Sequence, residues 1–275
     1  MLLKNRPQPV AFAPKIGSVA MGHPGSTNPA YGIKVTPANG ASLPSDGVRC
    51  PGGFTMSSMT TDWQAWHRAY DDPGSSLSRR LSAVQHEIAI GLDEAASGPI
   101  SLLSLCAGDG RDVLGVLSAH PRSGDVRASL IDIDDELIAA ARLRARALGL
   151  AKVECVMADA GSSATFAKVL PVDVVVACGI FGNISRADIS ATISALAAML
   201  TPNGTAIWTR HRREPDLTPW IRRRFSECGF AERSFVAVPD SLASVGRHRL
   251  TGPADATGVP ASLFEFEGDG VDANV

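Results

Sequence analysis

No apolar run in this sequence approaches the roughly 20 consecutive residues that a membrane-spanning helix needs. The N-terminal residues also lack the continuous apolar stretch of a secretory signal. Cysteine is scarce: Cys50, Cys106, Cys155, Cys178 and Cys228 are odd in number, far apart, and without a C-x-x-C pair or a histidine at ligand spacing. That excludes a disulfide scaffold and a structural zinc site. Neither sign of charge dominates, since Lys+Arg is 26 and Asp+Glu 28, so no chain-wide field draws the protein to nucleic acid or an anionic membrane. No G-x-x-x-x-G-K-[ST] occurs, which removes a phosphate-binding loop. What is left is a 275-residue chain, 45% hydrophobic and 20% charged, an ordinary balance for one main globular domain with appendages. A cytoplasmic protein with reduced thiols is the expectation.

Residues 1–58 are rich in Pro, Gly, Ser and Asn, and their apolar residues follow no period of 2 or 3.6. They are read as a disordered extension. Because Met56 and Met59 stand just before the first helix-like stretch, an over-extended start of the reading frame is expected. Residues 59–98 are read as an N-terminal helical lid. A short aromatic helix carries Trp63, Trp66, His67 and Tyr70, and a longer helix puts Leu77, Leu81, Val84, Ile88 and Leu92 on one stripe.

From residue 100 strands and helices alternate. The apolar runs Ile100–Leu105, Val126–Ile133, Val153–Met157, Val172–Cys178 and Thr205–Thr209 read as strands. Asp134 caps the helix after the second run, and Ser185 with Asp188 caps the helix after the fourth. Ala231–Val238 and Ser244–Leu250 are the last strand candidates. Such a series predicts a parallel sheet with helices on both faces, and ligands then bind beyond the carboxyl ends of the strands.

Three strand ends carry chemistry. Gly108-Asp-Gly110 follows the first strand, where glycine lets the backbone approach a ligand and the next helix offers unpaired N–H groups. Alone this is a weak signal, since a turn needs glycine anyway. Asp132 ends the second strand 22 residues after Gly110, where a carboxylate accepts both ribose hydroxyls of a nucleoside. Asp159 follows the third strand and suits an adenine amino group. A dehydrogenase fingerprint asks for a third glycine where this chain has Val113.

Over roughly residues 99–252 the sequence resembles the class I S-adenosylmethionine-dependent methyltransferases of bacteria. The matching pieces are Leu102-Leu-Ser-Leu-Cys-Ala-Gly-Asp-Gly-Arg111, Ser129-Leu-Ile-Asp-Ile-Asp-Asp-Glu136 and Met157-Ala-Asp-Ala160. Val172-Asp-Val-Val-Val-Ala-Cys-Gly179 and Leu200-Thr-Pro-Asn-Gly-Thr-Ala-Ile-Trp208 match the fourth and fifth strands. The resemblance implies an α/β fold: a doubly wound, mostly parallel seven-stranded sheet with helices on both faces and an antiparallel last pair, followed by a C-terminal tail over 253–275. It implies S-adenosylmethionine held by Ser104, Cys106, Ala107, Gly108, Asp109, Gly110, Asp112, Asp132, Ile133, Asp159, Ala160, Cys178 and Gly179. The family usually has an acid at Ser104 and a glycine at Cys106. The first departure weakens recognition of the methionine ammonium, a role Asp109 or a carbonyl takes instead; the second adds bulk at the cofactor.

His211, after the fifth strand, is the first catalytic candidate, for contact with the acceptor as a general base, with His67 and Tyr70 behind it; for each a surface or packing role is the plain alternative. Asn183 lines the site or merely turns the chain before Ser185. Six arginines between Arg210 and Arg224 suit phosphates, but their interleaving with Glu214 and Asp216 suits a solvated face. Arg142, Arg144 and Arg146 suit a helix C-terminus. The reading is methyl transfer to a small-molecule acceptor. The alternatives are a nucleic-acid or protein methyltransferase using the basic face, and a non-catalytic S-adenosylmethionine-binding module.

Overall fold

The computed structural model describes residues 70, 72, 74–252 and 258–267. The expectations for 1–58, and for Trp63, Trp66 and His67, lie outside the described residues. The elements in chain order are α1 (Ser76–Glu94), β1 (Ile100–Leu105), α2 (Arg111–Leu117), β2 (Val126–Asp132), α3 (Asp135–Ala147), β3 (Val153–Met157), β4 (Val172–Ala177), α4 (Arg186–Met199), β5 (Leu200–His211), α5 (Thr218–Glu227), β6 (Phe230–Ala237) and β7 (Ala243–Leu250). No described helix is long and apolar enough to cross a membrane.

The seven strands form one sheet in the order β3-β2-β1-β4-β5-β7-β6. Every pairing is parallel until β7, which runs antiparallel to both β5 and β6. Continuous apolar strands such as Val172–Ala177 are what a sheet covered on both faces requires, and two buried clusters occupy those faces. One holds Val84, Ile88, Leu102, Val113 and Val176, and the other Leu103, Val175, Ile193, Trp208 and Phe225. Strand order reverses between β1 and β4, so the binding crevice opens there, beyond their carboxyl ends.

Caps follow the sequence closely. The Asp134 side chain accepts the Glu136 and Leu137 N–H groups at 3.0 Å each, and Ser185 Oγ accepts that of Asp188 at 3.0 Å. Strand boundaries move: β5 runs on to His211, β6 covers Phe230–Ala237 and β7 begins at Ala243. β2 stops at Asp132 and leaves Ile133 in the loop, β4 stops at Ala177, and β5 begins at Leu200 instead of Thr205. The fifth strand absorbs the Pro202-Asn-Gly204 turn as an irregularity, with Asn203 at φ 67 and a register shift opposite Val172 and Val174.

α1 packs on the sheet through a buried ion network. Arg247 of β7, 4% exposed, donates to Glu87 and Glu94 of α1 at 2.7 Å each, and Ser234 Oγ donates to Glu87 at 2.7 Å. A buried charge needs such partners, because removing one leaves the other desolvated and uncompensated.

Between β3 and β4 the chain forms only two short 3-10 turns, Ser163–Thr165 and Ala167–Val169. Residues 258–267, read from the sequence as part of a tail, cover that crossover. Leu263 N donates to Gly161 O at 2.7 Å, Ser163 N to Ala261 O at 3.0 Å, Glu267 N to Asn183 O at 3.0 Å, and Thr192 Oγ1 to Leu263 O at 3.1 Å. Leu263 and Phe264 are buried with Phe166. This strap joins the loop after β3 to the loop after β4.

Candidate active site

The loop after β1 is shaped by three consecutive needs. Cys106 sits at φ 52, the left-handed backbone a glycine adopts freely and a cysteine rarely. Gly110 sits at φ 67 as the N-cap of α2, and a Cβ there would stand 2.7 Å from Leu130 Cδ2. Between them, Ala107 N donates to Ile131 O at 2.9 Å and Gly108 N to Asp132 Oδ2 at 2.7 Å. The end of β2 therefore holds the turn in place.

Asp132 Oδ1 accepts Asp134 N at 3.0 Å, so each carboxylate oxygen makes one backbone bond and keeps acceptor capacity for another. Ile133, the next residue, is 71% exposed, a bare apolar surface at the rim. Asp159 Oδ1 accepts Gly161 N at 2.8 Å, and Ala160 is buried beneath. The structure thus gathers Gly108, Gly110, Asp132, Ile133 and Asp159 around the ends of β1, β2 and β3.

Ser104 and Asp109 are both buried. Ser104 is 1% exposed, and its Oγ has no hydrogen-bond partner among the described residues. Asp109 is committed to cations: Arg111 Nη2 lies 2.7 Å from Oδ2, Arg111 Nε 3.0 Å from Oδ1, and Arg144 Nη1 3.2 Å from Oδ2. Arg144 is therefore a partner of the glycine loop as well as a charge near the end of α3. Asp112, in the first turn of α2, accepts Val113 N at 2.7 Å, and burial pushes its carboxyl up to about 6.

Both thiols at the site are held neutral. Burial, then the charges of Asp132 and Asp159, raise Cys106 well above the ordinary thiol range. Burial, then Asp112, pushes Cys178 up to about 12. A neutral thiol is a weak nucleophile, and these two are inert as such.

Beyond β4, Gly179 N donates to Thr209 Oγ1 at 2.9 Å, and Asn183 Nδ2 donates to Gly179 O at 2.7 Å. Asn183 therefore shapes the loop. His211 ends β5 against Gly182, where an added Cβ would stand 3.4 Å from His211 Cδ2. Its Nδ1 accepts Arg213 N at 3.3 Å, which assigns the proton of the neutral ring to Nε2. Tyr70 accepts Arg80 Nη2 at 2.8 Å and carries the Arg111 guanidinium over its ring at 4.7 Å. Its hydroxyl is raised above its usual range, chiefly by burial.

The arginine-rich stretch is internally engaged. Arg222 makes two 2.6 Å bonds to Glu232, and Arg224 donates to Ser190 at 2.9 Å and Ser194 at 2.6 Å. Arg212 donates to Ser241 O at 2.8 Å, and Arg210 to Phe181 O. Signals that reading the sequence missed are Thr209, Arg80 and the strap. Thr209 alone had a visible cue, as the polar residue near the end of an apolar strand.

No curated protein matches the chain by sequence. Among solved structures, it resembles magnesium protoporphyrin IX methyltransferase from Synechocystis PCC 6803 with bound S-adenosylmethionine. Identity is 15%, coverage 69% of this chain and 91% of that one, and the TM-score 0.53. It also resembles 1,6-didemethyltoxoflavin-N1-methyltransferase from Burkholderia thailandensis with its substrate and S-adenosylhomocysteine bound. There identity is 14%, coverage 74% and 94%, and the TM-score 0.51. An RNA methyltransferase from Salinibacter ruber is 21% identical over 67% of this chain and 97% of that one, with a TM-score of 0.44. Residues 103–206 match the family model of a methyltransferase domain, and the sheet order above, shared with these solved structures, is a Rossmann-like fold.

Proposed function

We propose that the chain is an S-adenosylmethionine-dependent methyltransferase acting on a small-molecule acceptor, with residues 99–252 as its catalytic domain. The observation that carries the reading is the pairing of Gly108 with Asp132 at 2.7 Å. It sets a close-approach backbone beside a carboxylate with acceptor capacity left for ribose hydroxyls. The donor's parts fit the residues in order: adenine on Ile133 with its amino group toward Asp159 and Ala160, ribose on Asp132, and the methionyl end along Cys106–Gly110 and Cys178–Gly179.

When bound, the donor supplies a methyl group on a sulfonium, whose sulfur keeps the electron pair of the broken C–S bond. This chain's residues then have to position, desolvate and, where the acceptor carries a proton, accept it. Orientation alone reaches effective molarities of about 10⁵ M or more in favourable cases. The neutral thiols of Cys106 and Cys178 keep the protein from competing for the methyl group. His211, at the end of β5 with its Nδ1 accepting the Arg213 N–H, is assigned to contact with the acceptor. Tyr70, whose hydroxyl accepts from Arg80, stays protonated because burial raises its pKa.

Internal pairing of Arg212, Arg222 and Arg224 supports a small acceptor over a nucleic acid, because those guanidinium groups already have partners. Incubation with methyl-labelled S-adenosylmethionine and fractionated cell extract tests the reading. Label is expected in the low-mass fraction. Label confined to RNA, DNA or protein overturns the small-molecule assignment, and wild-type transfer to nothing, with donor bound, favours a binding module.

A further inference from the structure

Helices α2, α3 and α4 cover the sheet where β1 leads to β2, β2 to β3 and β4 to β5, but among the described residues no α-helix stands between β3 and β4. A parallel sheet needs cover on both faces, and the strap at 258–267 supplies it here. Leu263 and Phe264 are buried against Phe166. Thr192 of α4, itself fully buried, donates to Leu263 O at 3.1 Å.

The strap also reaches the residues around the crevice. Its first half lies along the loop after β3, with Ser262 bridged to Ser162 and Leu263 N bonded to Gly161 O at 2.7 Å. Gly161 is enclosed from two sides: a Cβ there would stand 2.5 Å from Phe264 O and 3.1 Å from Asp159 Oδ1. The strap backbone and the Asp159 carboxylate therefore pack against one residue, whose N–H that carboxylate accepts at 2.8 Å.

The second half lies along the loop after β4. Phe266 is bridged to Ile184, and Glu267 N donates to Asn183 O at 3.0 Å. Asn183 Nδ2 in turn holds Gly179 O at 2.7 Å, and the neighbouring Gly182 packs against His211. One short segment is thus bonded both to the loop that carries Asp159 and to the loop that meets His211.

We propose that the strap residues from Leu263 to Glu267 are positioning residues: they hold Asp159 toward the donor's adenine amino group and, through Asn183, set the loop on the acceptor side. Donor binding then orders the acceptor side, because a ligand that binds best with the strap docked must in turn favour the docked strap. The assignment rests on the methyltransferase reading. It adds to that reading a physical link between the two halves of the crevice.

Two ligands separate positioning from plain stability. S-Adenosylhomocysteine carries the adenine amino group, and S-inosylhomocysteine has an oxygen in its place. By titration calorimetry wild type is expected to bind the first about tenfold tighter or more, since the second loses a hydrogen bond to a charged group. Leu263→Ala removes the strap's buried anchor, and Thr192→Val removes the bond to its carbonyl. Both variants are expected to lower that ratio to about threefold or less, because Asp159 is no longer held. An unfolded fraction weakens both ligands alike and leaves the ratio untouched. At equal saturation of wild type, S-adenosylhomocysteine is expected to slow hydrogen exchange at the Glu267 amide about fivefold more than S-inosylhomocysteine does. A ratio unchanged in both variants, or equal protection of Glu267 by the two ligands, overturns the proposal, as does wild type binding the two equally. Wild type binding neither ligand defeats the methyltransferase reading itself.

Discussion

The Asp132 carboxylate accepts the Gly108 N–H at 2.7 Å, joining the end of β2 to the glycine loop after β1. One side chain thereby orders the loop and, in the proposed function, receives the ribose. Asp132→Ala removes both roles and is expected to weaken S-adenosylhomocysteine and 5′-methylthioadenosine alike, by about 100-fold, since bonds to a charged group contribute roughly 1.5–3 kcal/mol each. Unchanged affinity for both, measured by calorimetry, would exclude the ribose role.

Asp112 is a stability cost at neutral pH. Its folded pKa of about 6 lies above the ordinary 3.8, so its contribution is fully present below pH 3.8 and is lost as pH rises through 6. Asp112→Asn keeps the bond to Val113 N and removes the charge. It is expected to raise stability at pH 8 by on the order of 2 kcal/mol, with the difference vanishing near pH 4. Urea denaturation at both pH values checks this, and a variant less stable than wild type at pH 8 contradicts it.

His248 supplies the opposite slope. Trp208 Nε1 donates to its Nδ1 at 3.1 Å, and Phe225 stacks on its ring at 4.3 Å. Burial lowers its pKa from 6.5 to about 4. The unfolded chain therefore binds the extra proton first, and stability falls as pH drops from 6.5 toward 4, by about 3 kcal/mol in the limit. His248→Gln retains an acceptor for Trp208 and does not titrate. Its denaturation midpoint is expected to vary less over that window than that of wild type; equal slopes would remove His248 as the cause.

Much of this architecture was legible because its signals are local. The β-branched run Val172–Ala177, the caps at Asp134 and Ser185, and the acids ending β2 and following β3 each declare themselves within a few residues. Cys106 was visible as a departure from glycine, but not that its backbone would keep the left-handed conformation at φ 52. The pairing of Asp109 was not legible because its partner Arg144 lies 35 residues away on α3, and no periodicity reports such a pairing. The strap was illegible for the same reason: residues 258–267 are stabilised by bonds to Gly161, Ser163 and Asn183, and a segment without its own period reads as a tail.

Gly161 makes the strap's close approach feasible, since a Cβ there would stand 2.5 Å from Phe264 O. Gly161→Ala is expected to displace the strap and destabilise the protein by about 1–3 kcal/mol, the usual range for overpacking. Hydrogen exchange is expected to speed up at Leu263 and Glu267, whose amides bond to Gly161 O and Asn183 O. Unaltered protection at both amides would show that the strap does not depend on this contact.

The central claim is that the β1–β4 crevice takes S-adenosylmethionine and not a dinucleotide. Calorimetric titration of the full chain with S-adenosylmethionine and, separately, with NAD tests it most directly. The account predicts saturable one-to-one binding of the first, lost in Asp132→Ala, and no heat with the second. Binding of NAD, or no binding of S-adenosylmethionine by the folded protein, would contradict it.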